Sequence, residues 1–339
     1  MSGSLYDLTL PYQTISIIGM CKNAGKTTVL NYLIENSPID EVLGLTSIGR
    51  DGESVDMVTG TSKPKIYIKS GSLFATAKKL LSGCDVTKEI VDTTDISTSL
   101  GNVVIIRARS DGYIELAGPS IVSELIEVTD VLRGHGASRI FIDGSISRKT
   151  LSTHLLAEGT ILSTGAGFSP DMDETISETI HTVNLFTTAM PDGDLDMLTD
   201  LSAASYEQSS ECKFLLIDDK RIIKGASDIN ELIKELRSSK RLRYIYVSGA
   251  LTDNILMPLL QVKLPSGLTL VTADATKLLI SRENMERLDR AKIAIRVLNK
   301  INLIAITINP YSPQGFNYDK TQFLQLLQSK TKIPVFNVE

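Results

Sequence analysis

Residues 14–28 read TISIIGMCKNAGKTT, and this stretch decides the fold class. Its first five residues are mostly apolar and β-branched, so they predict a buried strand over Thr14–Ile18 that ends at Gly19. From Thr27 onward, the sequence TTVLNYLIENS places apolar residues at helical spacing. A strand, a glycine-containing loop and a helix in this order are typical of the opening unit of an α/β protein.

The alternation of strand and helix continues along the first half of the chain. Helical patterns cover Gly71–Leu81 and Pro119–Arg133. Further strand patterns fall at Val42–Leu45, Lys65–Ile68, Val103–Arg107, Arg139–Ile142 and Thr160–Ser163. This alternation predicts a mostly parallel sheet with helices on both faces.

The character of the sequence changes at about residues 190–210, which are acidic, polar and rich in turn residues. We therefore expect a nucleotide-binding domain over residues 1–200, and a second α/β domain or an extension of the same sheet over residues 201–339. A helical pattern covers Glu283–Asn299. Strand patterns in the second half fall at Lys213–Ile217, Arg243–Val247, Thr269–Thr272, Leu303–Ile308 and Ile333–Phe336.

Composition excludes several classes of function. The 339 residues carry 35 Lys and Arg against 40 Asp and Glu, and no Trp, which gives no support for nucleic-acid binding. The first 13 residues lack the pattern of a secretory signal, and the apolar runs are too short to span a bilayer. Three widely spaced cysteines suit neither a disulfide framework nor a zinc site. We expect a cytoplasmic protein with no membrane partner.

The loop between the first strand and the first helix has the chemistry of a phosphate site. Glycine beside lysine lets backbone N–H groups approach phosphate oxygens, and the helix N-terminus favours an anion. Lys26 is placed to reach the β- and γ-phosphates, and the Thr27 hydroxyl is placed to ligate Mg²⁺. The predicted nucleotide-binding residues are Gly19, Lys22, Asn23, Ala24, Gly25, Lys26, Thr27 and Thr28.

The spacing of the glycines departs from the standard pattern G-x-x-x-x-G-K-[ST]. That pattern requires glycine at position 20, where this chain has Met20, and Gly19 precedes Gly25 by one residue too many. The loop resembles that of the dethiobiotin synthetase branch of P-loop proteins, which carries one extra residue. Residues 22–28 also resemble the loop of molybdopterin-guanine-dinucleotide accessory GTPases. Both belong to the larger MinD-like group, so the resemblance implies a P-loop NTPase fold.

Two acidic positions complete the predicted site. Arg139–Asp143 is an apolar strand that ends in a carboxylate, as a Walker B strand requires for Mg²⁺. Asp51 follows the second predicted strand, where related proteins carry acids that position Mg²⁺ or water. The predicted catalytic residues are Lys26, Asp51 and Asp143, and the predicted metal ligands are Thr27 and Asp143.

Two segments of the sequence bear on the base of the nucleotide. Asn299–Asn302 has the form N-K-x-N, but Asn302 replaces the acid that pairs with guanine, and the tetrad ends a predicted helix. We therefore reject it as a guanine reader. Asn309 and Pro310 follow a predicted strand where related synthetases place adenine-contacting residues, which favours ATP over GTP by analogy alone.

Over nearly its full length the chain resembles the small P-loop-containing subunits of lysine 5,6-aminomutase reactivases. The resemblance is carried by IIGMCKNAGKTT, LTSIGRDGE, RIFIDGSISRK, EGTILSTGAGFS and the terminal TINPYSPQGFNYD and IPVFNVE. It implies an ATP-binding accessory protein from an anaerobic lysine-fermentation operon. Its implied partners are a MutS-like ATPase subunit and the adenosylcobalamin- and PLP-dependent aminomutase, which the pair would reactivate by releasing damaged cobalamin.

Two other functions stay open at the level of sequence. One is an ATP-dependent synthetase acting on a small carboxylic acid, which the extra loop residue favours. The other is a structural module with a vestigial nucleotide site. The sequence also leaves a homodimer open.

Overall fold

The computed structural model describes residues 3–49, 65–144, 156–191, 212–218, 222–238, 242–262, 264–265 and 267–338. The chain forms two compact units: Met1–Ile180 with Asn302–Glu339, and His181–Ile301. This division differs from the boundary expected at residue 200. The reason is that the strand Leu303–Asn309 pairs with Gly159–Gly165, so the end of the chain returns to the first sheet.

The first unit is built on a large, mostly parallel sheet. Its described strands are β1 Thr14–Gly19, β2 Leu43–Ser47, β4 Leu73–Ala77, β5 Lys88–Thr98, β6 Gly101–Ala108, β8 Arg139–Asp143, β9 Gly159–Gly165, β17 Leu303–Asn309 and β18 Val335–Asn337. These nine lie in the order β18-β17-β9-β1-β8-β2-β4-β6-β5. Every pairing from β18 to β4 is parallel, and the β4–β6 and β6–β5 pairings are antiparallel.

Helices and a small ribbon complete the elements around this sheet. The helices are α1 Lys26–Glu35, α2 Val122–Gly134, α3 Met172–Phe186 and α7 Lys320–Ser329, and α3 ends inside the second unit. The ribbon pairs β3 Ile66–Ile68 with β7 Gly112–Ile114 in antiparallel fashion. Because α1 packs against β1, β3 and β8, its apolar face closes the core over the middle of the sheet.

The central position of β1 follows from its composition. All six of its residues are buried, as a parallel strand covered on both faces requires. It pairs with β8 on one side and with β9 on the other. Because all three strands run in parallel, their carboxyl ends meet at one edge of the sheet, where ligands bind in open α/β sheets.

The second unit contains a five-stranded sheet in the described residues. Its strands are β10 Phe214–Ile217, β11 Ile222–Ala226, β12 Tyr244–Val247, β14 Thr269–Asp274 and β16 Ala294–Asn299. They lie in the order β11-β10-β12-β14-β16. A short parallel pair joins β13 Leu251–Thr252 to β15 Leu278–Leu279, and the helices are α4 Ile229–Ser238, α5 Asp253–Leu260 and α6 Arg282–Ala291.

The mixed α/β class, the mostly parallel sheet and the positions of the predicted strands are confirmed, and two predicted helices are wrong. Gly71–Leu81 forms β4 and a 3₁₀ helix, because pairing with β2 and β6 in the sheet overrides its local periodicity. Glu283–Asn299 is divided at Lys292, whose left-handed backbone (φ 55°) ends α6. The β-branched residues that follow then form β16.

Candidate functional site

The loop of residues 20–25 joins the end of β1 to the start of α1 at the carboxyl edge of the sheet. Its backbone turns through two left-handed residues, Asn23 (φ 59°) and Gly25 (φ 89°). Gly25 is also the residue that caps α1, and glycine has no side chain to offer the first helical amides. Those amides lack intrahelical acceptors, so an anion at this position would find several N–H donors and the positive end of the helix.

The Lys26 side chain folds back over the end of β1. A Cβ atom added to Gly19 would lie 3.0 Å from Lys26 Cγ and 3.1 Å from its Cδ, so glycine at this position leaves the room that the lysine occupies. Burial raises the pKa of the Cys21 thiol to about 11, and the positive charge of Lys26 opposes that rise.

Asp143 ends the strand next to β1. In the sheet it lies opposite Ile17 on one side and Ser47 on the other, and the Gly144 amide donates to Ile17 O (3.0 Å). The carboxylate is partly buried one strand away from the loop. The structure thus brings Asp143 to the same sheet edge as Lys26, as the sequence predicts.

Thr27 and Thr28 belong to the first turn of α1 and are half-buried, and Lys22 is exposed. Ala24 is buried below the loop, with its Cβ 3.2 Å from a Cβ placed on Gly19. Asp51 lies outside the described residues, so its predicted role stays a prediction.

Sequence reasoning missed the part that the end of β17 plays in the loop. Asn309 donates from Nδ2 to the carbonyl oxygen of Asn23 (2.9 Å), and its Oδ1 accepts from the Tyr311 amide (3.0 Å). The segment after β9 also approaches the loop, since a Cβ on Gly167 would lie 3.0 Å from Lys22 O. The only signal in the sequence was an asparagine directly after an apolar strand.

Two oxygen donors at this sheet edge are of the kind that could contribute to holding Mg²⁺. No group of three His, Cys, Asp or Glu side chains suited to a metal occurs in the described residues. Mg²⁺ is usually held by one or two protein oxygens together with substrate phosphates and water. The Thr27 hydroxyl and the Asp143 carboxylate are oxygen donors at the same sheet edge, and they match that requirement.

In the structure, both asparagines of the rejected tetrad Asn299–Asn302 bind backbone carbonyl groups. Asn299 ends the strand β16, so the expectation that the tetrad ends a helix is wrong. Its Nδ2 donates to Ala273 O (3.1 Å), and Asn302 Nδ2 donates to Glu158 O (2.8 Å). Both amides hold the protein backbone, so the tetrad is still not assigned as a base reader.

Comparisons with models of protein families, with curated proteins and with solved structures found no match. Of the helices in the described residues, none combines the length and the apolar character needed to cross a bilayer.

Proposed function

We propose that this protein binds a Mg²⁺-nucleoside triphosphate at residues 19–28, in the manner of a P-loop NTPase. The observation that carries the proposal is the folded-back Lys26, which crosses Gly19 at the start of a helix capped by glycine. A lysine that follows this path would bring a positive charge to a loop that offers several backbone donors. Triphosphate oxygens are the ligands best suited to that combination.

Each residue of the proposed site has a separate task. The amides of the loop and of the first turn of α1 would hold the β- and γ-phosphates, and Lys26 would neutralise charge on them. Thr27 and Asp143 would hold Mg²⁺, directly or through water. Hydrolysis also needs a group that positions water, and Asp51 is our candidate for that role.

We further propose that the nucleotide serves an accessory role, as the resemblance to aminomutase reactivase subunits implies. In that role, binding and hydrolysis would change the interaction with a MutS-like ATPase subunit and with the aminomutase. A conformational ATPase needs a phosphate cradle, Mg²⁺ and a positioned water, and no separate set of substrate-binding groups. ATP is the preferred nucleotide in this proposal because the resemblance implies it.

Thermal unfolding with and without nucleotide tests the phosphate site. At a concentration of Mg·ATP 100 times its Kd, binding should stabilise the folded protein by about 2.7 kcal/mol. Lys26→Ala should lose this shift because it removes the charge over the loop. Lys79→Ala removes an exposed lysine of the 3₁₀ helix Lys78–Gly83 and should keep it.

Two outcomes count against the proposal. Absence of any shift with Mg·ATP or Mg·GTP at millimolar concentration would favour the structural module with a vestigial site. An equal shift in wild type and Lys26→Ala would place the nucleotide elsewhere. Mixing the protein with a MutS-like subunit and an aminomutase then tests the accessory role, which fails if neither ATP hydrolysis nor mutase recovery changes.

The ATP-dependent synthetase remains the second candidate because Gly19 precedes Gly25 by one residue more than in the standard loop. It differs from the accessory role in requiring a small carboxylic acid as acceptor. Nucleotide turnover that rises with cobyrinate-like or diaminopelargonate-like acids would support it, and no rise with either class of acid would exclude those substrates.

A further inference from the structure

Asn309 connects the far end of the chain to the phosphate loop, across 286 residues of sequence. Its backbone is fixed by the sheet, because the Ala166 amide donates to Asn309 O (2.9 Å). Its carboxamide is fixed at both ends: Nδ2 donates to Asn23 O (2.9 Å), and Oδ1 accepts from the Tyr311 amide (3.0 Å). The side chain therefore has one defined orientation, toward the loop.

The contact falls on the part of the loop that is hardest to form. Asn23 has a positive φ, which is uncommon for a residue with a side chain, and Gly25 adopts the same region. Asn309 binds the carbonyl of the first of these residues and packs beside the second, since a Cβ on Gly25 would lie 3.2 Å from Asn309 Cβ. Both left-handed residues of the loop thus rest against this one side chain.

We propose that Asn309 is a positioning residue, which holds residues 23–25 in the conformation that presents their amides to phosphate. The inference rests on the phosphate site proposed above. It also replaces the analogy that places Asn309 against adenine, because the structure directs the amide to the loop backbone. Asn309 then acts on the phosphates through the loop and contributes nothing to the choice between ATP and GTP.

Two substitutions of Asn309 distinguish the contribution of its amide donor from that of its carbonyl acceptor. Asn309→Ala removes both hydrogen bonds, whereas Asn309→Asp is isosteric, retains the acceptor for Tyr311 and loses the donor to Asn23. Asn302→Ala is the matched control. Asn302 precedes the first residue of β17, at the opposite end of that strand, and also donates its amide to a backbone carbonyl, that of Glu158.

Isothermal calorimetry on the full-length variants, below their unfolding temperatures, gives the first readout. We expect the Kd for Mg·ATP to rise about five- to tenfold in Asn309→Ala, the equivalent of one lost hydrogen bond, and at least as much in Asn309→Asp. The Kd for Mg·GTP should rise by the same factor. Asn302→Ala should bind both nucleotides as the wild type does.

Hydrogen exchange of the loop amides without nucleotide gives the second readout. Exchange at residues 20–25 should be faster in both Asn309 variants and unchanged in Asn302→Ala. The inference would be overturned if loop exchange is unchanged, or if neither Asn309 variant changes the affinity for nucleotide. It would also be overturned if only the affinity for Mg·ATP falls, because that result would assign Asn309 to recognition of the base. If the wild type binds neither nucleotide, the proposed function fails, and the exchange measurement still decides whether Asn309 holds the loop.

Discussion

Replacing Gly165 with alanine tests whether the close approach of β9 and β17 requires glycine at this position. Gly165 ends β9 and lies opposite Asn309 in the sheet. A Cβ atom added there would lie 2.2 Å from Asn309 O and 2.9 Å from Asn309 Cβ. The backbone at Gly165 is not left-handed, so the requirement for glycine at this position is one of space.

The size of the effect follows from the distances. Ordinary contact begins at 3.4 Å, so Asn309 O must move away by about 1.2 Å. That movement lengthens or breaks the bond from the Ala166 amide to Asn309 O, which measures 2.9 Å. Overpacking costs about 1–3 kcal/mol and a lost hydrogen bond about 1 kcal/mol. Gly165→Ala should therefore lower stability by about 2–4 kcal/mol and Tm by roughly 4–16 °C.

Calorimetric or fluorescence melting of purified variants measures this change. Gly134→Ala is the control, because a Cβ there meets no atom within 4 Å, and Gly134 ends the helix α2. Alanine at that position should leave stability within about 1 kcal/mol of the wild type. The reasoning is refuted if Gly165→Ala melts within about 2 °C of the wild type.

Two further predictions concern charge. Because burial raises the pKa of Cys21 to about 11, alkylation of this thiol should be about 100-fold slower at pH 8 than for a thiol of pKa 9, and Lys26→Ala should slow it further. Peptide-resolved mass spectrometry measures the alkylation rate as a function of pH. A rate profile for Cys21 with its midpoint at or below pH 9 would contradict the prediction. Glu41→Gln should cost about 3–5 kcal/mol in urea unfolding, because it leaves the Arg139 guanidinium buried without its anion. Glu283→Gln, which breaks an exposed pair, should cost less than about 1 kcal/mol, and equal losses in the two variants would refute the argument.

The sequence predicts the core strands well because their signal is local. The strands β1, β8 and β9 are apolar, β-branched runs that the sheet buries on both faces, so composition alone identifies them. The strand β4 was missed because its sequence, LFATA, contains small residues compatible with a helix. Its strand conformation depends on β2 and β6, which lie elsewhere in the chain.

The candidate site shows the same division between local and distant information. Lys26 and Asp143 could be placed at this edge from sequence because Lys26 begins the helix after β1 and Asp143 ends an apolar strand. Asn309 could be found in sequence as a residue after a strand, but its task depends on β17 lying beside β9. No local pattern of residues predicts that β9 and β17 are neighbours, because the residues of the second unit separate the two strands in the sequence.

The irregular spacing of the loop glycines has a physical explanation in the sheet. The Met20 amide donates to Ser163 O (2.8 Å), which completes the pairing of Gly19 with Ser163 at the end of β1. Met20 is buried, with only 8% of its surface exposed, and its side chain is accommodated. The restriction to glycine applies instead to position 19, where a side chain would meet Lys26. The structure therefore buries Met20 directly after β1 and keeps glycine where the Lys26 side chain passes, so the departure from the standard spacing does not by itself argue against the proposed function.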